Sequence, residues 1–289
     1  MHLTRNPGRR PRLSDAETEE RMLKAGLQFV AQQGLSLSLE HLSMENLIQA
    51  AGVSRTSSYR RWPTKDTFAA DLLLTLAQAA DLSGDVPGLT EALAATSGAA
   101  FVELETQQGR RNAVVEVLRV LFDTDFLAML HSADWHSYIA LRAGHIGLPA
   151  GDLRTRVAEA LAQTEQRFTR ARAAAFRMLA DGMGYRLRHP DPEAWDRLSL
   201  TIGAVATGML IRGYSDPHAV TGTEVVTALG STAPAPWSTS TLASAGIFLD
   251  AVEPDPAVVW SPDRIAALRA QAGDLAGTIS AALASLPTP

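Results

Sequence analysis

The 289-residue sequence contains no cysteine, so a disulfide framework, a thiolate zinc site and a cysteine nucleophile are excluded. Long hydrophobic runs are missing too. The most apolar stretch, residues 198–211, is interrupted by threonine and glycine and is shorter than the ~20 residues that a membrane-spanning helix needs. The arginine-containing N-terminus is not followed by the apolar core of a signal peptide. We therefore expect a soluble, cytoplasmic protein without a membrane partner.

The sequence also lacks a P-loop, a dinucleotide-binding glycine-rich turn and a nucleophile elbow. The one group of side chains with metal-binding or acid–base potential comprises His131, Asp134, His136 and His145. These residues do not have the i, i+4 histidine spacing of a helical zinc site. We interpret them as solvated or hydrogen-bonded side chains, and we expect no enzymatic activity, no metal and no cofactor.

Charge is distributed unevenly along the chain, whose formal net charge is −5. Residues 1–70 carry ten basic and seven acidic side chains, whereas residues 71–289 carry sixteen and twenty-four. Phosphate attraction acts locally, over a Debye length of ~8–10 Å. The basic N-terminal part can therefore attract nucleic acid although the whole chain is acidic.

Helical periodicity runs through most of the chain, and the alternating pattern of β-strands is essentially missing. We predict an all-α fold with a flexible basic arm at residues 1–13, a small helical head at 14–66 and a larger helical body at 67–289. Proline, serine and threonine are frequent in residues 215–261, which predicts a long irregular excursion within the body.

Within the body, the helix predicted for residues 111–130 has Asp123 as a candidate break. Short helices are predicted at residues 223–229 and 242–249 of the excursion, and a last helix at Pro262–Leu286.

Capping signals divide the head into short helices. Ser14 followed by Glu17 matches a capping box at the start of the first helix. A second helix starts at Ser43 and ends at Gly52, and Ser54 caps a third helix that stops before a proline. Two short helices separated by a turn with a central glycine are the geometry of a DNA-reading helix-turn-helix.

Residues 14–75 resemble the TetR family of bacterial repressors. The resemblance rests on the turn and the residues that follow it in matching order and spacing, namely Ala51-Gly52-Val53-Ser54, Tyr59, Trp62-Pro63 and Thr64-Lys65-Asp66. It implies a helix-turn-helix head, a helical body that pairs two copies into a homodimer, and repression of transcription. It also implies release from the DNA operator when a small hydrophobic effector binds the body. Beyond residue 75 the resemblance is only architectural.

One position departs from the family pattern. Ser58 stands where the family usually has a leucine that anchors the recognition helix. A buried hydroxyl needs a hydrogen-bond partner. Either the third helix is seated more loosely, or a neighbour such as Trp62 or Leu42 fills the space.

The resemblance implies a set of DNA contacts whose residue types suit phosphates and base edges. The set comprises Ser43 and Met44 at the DNA backbone, Arg55, Thr56 and Ser57 at base edges, Tyr59 and Lys65 on phosphates, and Arg61 on a base or a phosphate. The arginines of the arm, Arg9, Arg10 and Arg12, either reach along an adjacent groove or form a simple solubilising tail.

The body is expected to supply the dimer interface and the effector pocket. The interface residues predicted in the helix at 193–214, which we expect to pair with the helix at 152–179, are Leu198, Ile202, Val205 and Met209; the alternative is burial inside one subunit. The predicted pocket residues are Phe101, Leu104, Phe122, Phe126, Met129, Trp135, Tyr138 and Phe176; the alternative is ordinary core.

Two classes of function remain open from the residues. The first is a ligand-responsive DNA-binding regulator. The second is a helical small-molecule-binding or protein-interaction module without DNA recognition, which Ser58 and the acidic net charge favour.

Overall fold

A computed structural model describes most of the chain, and its described residues are 13–35, 41–79, 86, 88–270, 277 and 281. Nearly all of the predicted basic arm, with Arg9, Arg10 and Arg12, lies outside the described residues, as does much of the last predicted helix. The described part is mostly α-helical, as predicted. None of its helices combines the length and the apolarity that crossing a membrane requires.

The helices described are α1 Asp15–Gln33, α2 Met44–Ala51, α3 Arg55–Arg61, α4 Lys65–Ala79, α5 Leu89–Ala100, α6 Gln107–His131, α7 Ala133–Gly144, α8 Asp152–Gly182, α9 Ala194–Gly213, α10 Pro217–Thr221, α11 Thr239–Ala251 and α12 Pro262–Ala270. The strands are β1 Tyr185–Leu187, β2 Thr223–Val226, β3 Ala235–Ser238 and β4 Val252–Pro254.

The chain divides into two compact units, the first formed by residues up to 79 together with 140–160. Its first helix begins as predicted, because the Ser14 hydroxyl accepts a hydrogen bond from the backbone N–H of Glu17 at 3.1 Å and the Glu17 carboxylate accepts one from the N–H of Ser14 at 2.7 Å. Helices α1 and α4 approach closely at Gly26, where an added Cβ would lie 2.9 Å from a methyl of Leu72. Glycine at this position therefore permits the close packing of the two helices.

The second unit comprises residues 80–139 and 161–289. Its core is built mainly where α6 packs against α5 and α11, and where α11 packs against α9. At its centre, the ring of Phe176 lies 5.5 Å from that of Phe248 in an edge-to-face arrangement. Two antiparallel strand pairs, β1 with β4 and β2 with β3, lie beside these helices.

The structure corrects two predictions for this unit. Residues 223–226 form strand β2 rather than the start of a helix, because Thr223, Val225 and Val226 are β-branched and such residues favour strands. Helix α6 runs through Asp123 without a break. The Asp123 carboxylate accepts a hydrogen bond from the hydroxyl of Thr241 at 3.1 Å, which ties it to α11.

The proline-rich segment is a packed part of the second unit rather than an irregular excursion. The Arg111 side chain donates a 2.8 Å hydrogen bond to the carbonyl of Leu229, and the backbone N–H of Thr232 donates one to the Asn112 amide oxygen at 2.9 Å. Helix α11 covers the predicted short helix at 242–249 and extends it at both ends. The segment is thus held against the start of α6.

Candidate nucleic-acid interface

Helices α2 and α3 have the boundaries that their capping residues predicted. The Ser43 hydroxyl accepts from the backbone N–H of Asn46 at 3.4 Å at the start of α2. Gly52 follows α2 with φ 63° and ψ 32°, a left-handed conformation that glycine adopts without a steric penalty. The Ser54 hydroxyl then accepts from the N–H of Ser57 at 3.0 Å and starts α3. Three residues therefore separate the two helices.

The buried side of α3 has Ser58 in place of the expected leucine, and the serine hydroxyl has a hydrogen-bond partner. Ser58 is fully buried, and its hydroxyl donates a 3.1 Å hydrogen bond to the Ser54 carbonyl one turn earlier. Leu42 and Trp62, the two neighbours considered for filling the space, are buried as well. The buried hydroxyl therefore costs little, since its partner lies within the same helix.

The opposite side of α3 presents polar groups to solvent. The Arg55 side chain is 71% exposed, and Thr56 is exposed beside it. Ser57 and Tyr59 are half-buried. None of these four side chains belongs to the core, so each is accessible to a partner molecule.

An acidic residue of α2, which the sequence-based prediction missed, holds two members of this polar face. Glu45 forms a 3.1 Å ion pair with Arg55 and accepts a 3.0 Å hydrogen bond from the Tyr59 hydroxyl. That hydrogen bond raises the pKa of Tyr59, because it stabilises the neutral phenol beside a carboxylate. The position of Glu45 in the first turn of a helix suits its charge, but that local signal says nothing of Arg55 or Tyr59.

Arg61, a predicted DNA contact, lies in ion pairs within the chain. Its guanidinium donates two hydrogen bonds to the Glu19 carboxylate at 3.0 and 3.1 Å, and it also lies 3.0 Å from Asp71. The hydrogen bonds to Glu19 raise the pKa of Arg61. Arg60 pairs in the same way with Asp15. These contacts fasten α3 to α1 and α4.

The remaining predicted contacts lie at helix starts. Met44 begins α2, but its side chain is buried, so only its backbone is available at that end. Lys65 begins α4 and is half-buried. Trp62, which ends α3, is completely buried and packs edge-to-face on Phe68 with ring centroids 5.0 Å apart.

The predicted dimer-interface residues of α9 face in two directions. Leu198 and Ile202 are buried in the core of their own chain, so the alternative of burial within one subunit holds for both. Val205 and Met209 are half-buried. The large apolar side chains that α9 exposes are others, Leu200 at 55% and Ile211 at 50%. This exposed face, with Ala204 and Gly208 between them, is called the α9 apolar face.

The predicted pocket residues are all buried side chains of the second unit. All eight are at most 8% exposed, and they are Phe101, Leu104, Phe122, Phe126, Met129, Trp135, Tyr138 and Phe176. The rings of Phe122 and Phe176 are 5.7 Å apart, and those of Trp135 and Tyr138 are 6.0 Å apart. Neither of the two cavities described in the second unit, of about 540 and 570 Å³, is lined by any of the eight.

The histidines of the sequence cluster have local roles. Ring nitrogens of His131 and His145 lie 2.8 and 2.7 Å from backbone carbonyl oxygens of their own helical turns, those of Leu127 and Arg142. The ring of His136 lies 4.7 Å from that of Tyr214 and is tilted by 42° against it. Within the described part of the chain, no group of three histidine or acidic side chains is placed to hold a metal ion.

The exposed polar face of α3 and the acidic side chains that pair with it therefore form the candidate functional site of the chain. A search against models of known protein families finds no match for this chain, and a comparison with curated protein sequences finds none either.

Proposed function

We propose that the chain is a cytoplasmic DNA-binding regulator of transcription, in which α2 and α3 form a helix-turn-helix and α3 enters the major groove. The observation that carries the proposal is the exposed polar face of α3, placed directly after a left-handed glycine turn. An α-helix fits the major groove, and recognition helices use the residues of their first turns to read base edges. Arg55, Thr56 and Ser57 occupy those turns.

Each member of the face has a chemical role in the proposal. Arg55 can donate two hydrogen bonds to a guanine, while Thr56 and Ser57 can donate to or accept from most bases. The hydroxyl of Tyr59 can donate to a phosphate oxygen. Lys65 at the start of α4 adds a positive charge for the same DNA backbone. Arg61 is paired with two carboxylates, so its role in the proposal is to hold α3 against α1 and α4.

The basic arm has a larger part in this proposal than its length indicates. Residues 14–79 carry six basic and eight acidic side chains, whereas residues 1–13 carry four arginines and no acid. The net positive charge of the N-terminal region therefore comes from the arm. Phosphate contacts supply most of the nonspecific affinity of DNA-binding proteins, so we assign that role to the arm.

A homodimer completes the proposal. One helix-turn-helix makes too few contacts for specificity, and paired heads reach half-sites ~34–36 Å apart. The α9 apolar face is the surface that we assign to the second copy, with α8 beside it as the family resemblance implies. Following the same resemblance, we propose a repressor that a small hydrophobic effector releases from its operator by favouring a different dimer arrangement.

The test is DNA binding by the intact chain. Duplexes are enriched from a random pool by the wild-type protein, and the enriched duplex is titrated by fluorescence anisotropy at several salt concentrations. The variant with Arg55→Ala and Tyr59→Ala should bind it about 100-fold more weakly, because a base contact and a phosphate contact are lost together. Arg186→Ala, which removes an equal charge from an exposed position of β1, should bind within about twofold of wild type. Failure to enrich any duplex would overturn the proposal.

Glu45 provides a second prediction. Its carboxylate forms an ion pair with Arg55 and a hydrogen bond with Tyr59, and it would lie near the phosphates in a complex with DNA. Glu45→Gln should therefore raise DNA affinity, by about three- to tenfold at low salt, with a smaller gain at high salt. Glu20→Gln, the matched loss of an exposed acid on α1, is the control. An unchanged affinity for Glu45→Gln would contradict the placement of α3 in the groove.

The acidic side chains that pair with α3 favour a second candidate function, a module without DNA recognition. Glu45, Glu19 and Asp15 pair with all four arginine and tyrosine side chains of α3 and neutralise its charge. A helical ligand-binding or protein-interaction module without DNA recognition is consistent with a neutralised α3. Under that alternative, the double substitution at Arg55 and Tyr59 leaves binding to DNA at the same low level as wild type.

A further inference from the structure

A cavity of about 540 Å³ lies in the second unit, where the start of α6 meets the C-terminal segment. Its volume is in the range of small-molecule sites, ~300–1,000 Å³. Strand β1, the residues after β4 and the first turn of α6 contribute to its wall. None of the residues predicted for ligand binding or dimerisation lines it.

Two arginines of α6 line this cavity without a carboxylate partner. Within the described residues, no acidic side chain lies within ion-pair distance of Arg110 or Arg111. Arg110 donates to the carbonyls of Leu104 and Glu105 at 2.9 and 3.2 Å, and Arg111 donates through Nε to Leu229. These hydrogen bonds fix both guanidinium groups but leave their charges uncompensated.

The acid that lines the cavity, Asp255, is engaged by its own turn. Its Oδ1 accepts a 2.9 Å hydrogen bond from the backbone N–H of Ala257. The positive end of the 25-residue helix α6 lies at the same wall, which adds to the positive potential of the two arginines. The cavity therefore favours a bound anion over a cation.

The rest of the wall suits an aromatic ring. The guanidinium carbons of Arg110 and Arg264 lie 5.0 and 5.2 Å from the ring of Trp260, and these contacts hold the indole in place. Met183 and Val258 add apolar surface. Tyr185 completes this wall and is only 5% exposed.

We propose that this cavity is a binding site for an aromatic carboxylate. The carboxylate pairs with Arg110 and Arg111, and the ring packs on Trp260 and the apolar wall. The inference rests on the second unit alone and does not depend on DNA binding. A role of this site as the effector site would rest on the proposed function.

The experiment is calorimetric titration of the intact chain, without DNA, with β-naphthoate and with the neutral β-naphthamide. The two probes share their rings and differ in charge. Naphthoate should bind at least about tenfold more tightly, and its affinity should fall as salt is added. Arg111→Gln should reduce the naphthoate affinity toward that of naphthamide. Naphthamide itself should bind this variant as it binds wild type, which shows that the cavity remains folded.

Two neighbouring valines give a matched pair of variants. Val258 lines the cavity, whereas Val259 is 77% exposed and does not. Val258→Trp should fill the cavity and weaken naphthoate binding at least about tenfold, while Val259→Trp should leave it within about twofold. Equal affinities for the two probes, the absence of saturable heat with naphthoate, or equal behaviour of the two tryptophan variants would overturn the proposal. These calorimetric results do not depend on whether the chain binds DNA.

Discussion

Replacing Arg172 by methionine is expected to lower the free energy of unfolding by about 3–5 kcal/mol at pH 7.5, because it removes a buried guanidinium that faces two half-buried acids. Arg172 of α8 is 5% exposed, and its guanidinium donates to the hydroxyl and the carbonyl of Ser199 at 3.1 and 2.5 Å. It also lies over the ring of Phe168 at 4.6 Å. Asp125 and Glu165 attract it electrostatically.

The loss of unfolding free energy in Arg172→Met should depend on pH, because the ionisation of Asp125 changes with pH. Burial raises the pKa of Asp125 from 3.8 to about 6, although the attraction of Arg172 opposes the shift. An acid whose pKa is raised by folding contributes stability below its ordinary pKa and loses that contribution as pH rises through the folded value. Without Arg172 the pKa of Asp125 rises further. The deficit of Arg172→Met should therefore be smaller at pH 5, where Asp125 is protonated, than at pH 7.5.

Urea unfolding followed by circular dichroism at the two pH values provides the measurement. Arg170→Met, an exposed position of the same helix, should change stability by no more than about 0.5 kcal/mol. Adding Asp125→Asn to Arg172→Met should recover about 1–3 kcal/mol at pH 7.5. A pH-independent deficit, or one no larger than that of Arg170→Met, would contradict the role assigned to the Arg172 charge.

Gly203 shows how one residue supports two interpretations from sequence. From the sequence alone, a glycine in α9 is compatible with the close approach of a helix from a second copy. In the structure an added Cβ at Gly203 would collide with the Arg172 guanidinium of the same chain. The glycine therefore makes room for a buried arginine, and no sequence pattern links positions 172 and 203.

The boundaries of α1, α2 and α3 were predictable to within about one residue because their signals are local. A capping serine or a left-handed glycine acts on backbone groups three or four residues away. Ser14, Gly52 and Ser54 each occupy the predicted role. The outward side of α3 follows from the same local register.

The partners of the α3 face were not predictable, because they come from elsewhere in the chain. Glu19 lies 42 residues before Arg61, and their ion pair exists only because α1 packs against α3. The pair of strands β2 and β3 was also missed by the sequence-based prediction. Strands of three or four residues are too short for a period to be recognised, and Arg111 meets Leu229 across 118 positions.

The second large effect is expected at Trp62. Trp62→Ala should destabilise the first unit by about 3–5 kcal/mol, since it removes a fully buried ring that packs on Phe68. It also removes the 2.9 Å hydrogen bond from the indole N–H to the Asp71 carboxylate. Asp71 would keep only its ion pair with Arg61, so α3 would lose its main anchor to α4.

Hydrogen exchange measured peptide by peptide can locate this effect. In Trp62→Ala, amides of α1 to α4 should exchange at least about 100-fold faster, while those of α6 and α11 stay unchanged. Trp62→Phe retains a ring but not the donor, and it should cost about 1–3 kcal/mol. Because α3 carries the proposed DNA contacts, Trp62→Ala should also abolish DNA binding, although Trp62 itself is too buried to touch a ligand. Uniform acceleration across both units would show instead that the chain unfolds as one body and that Trp62 anchors more than α3.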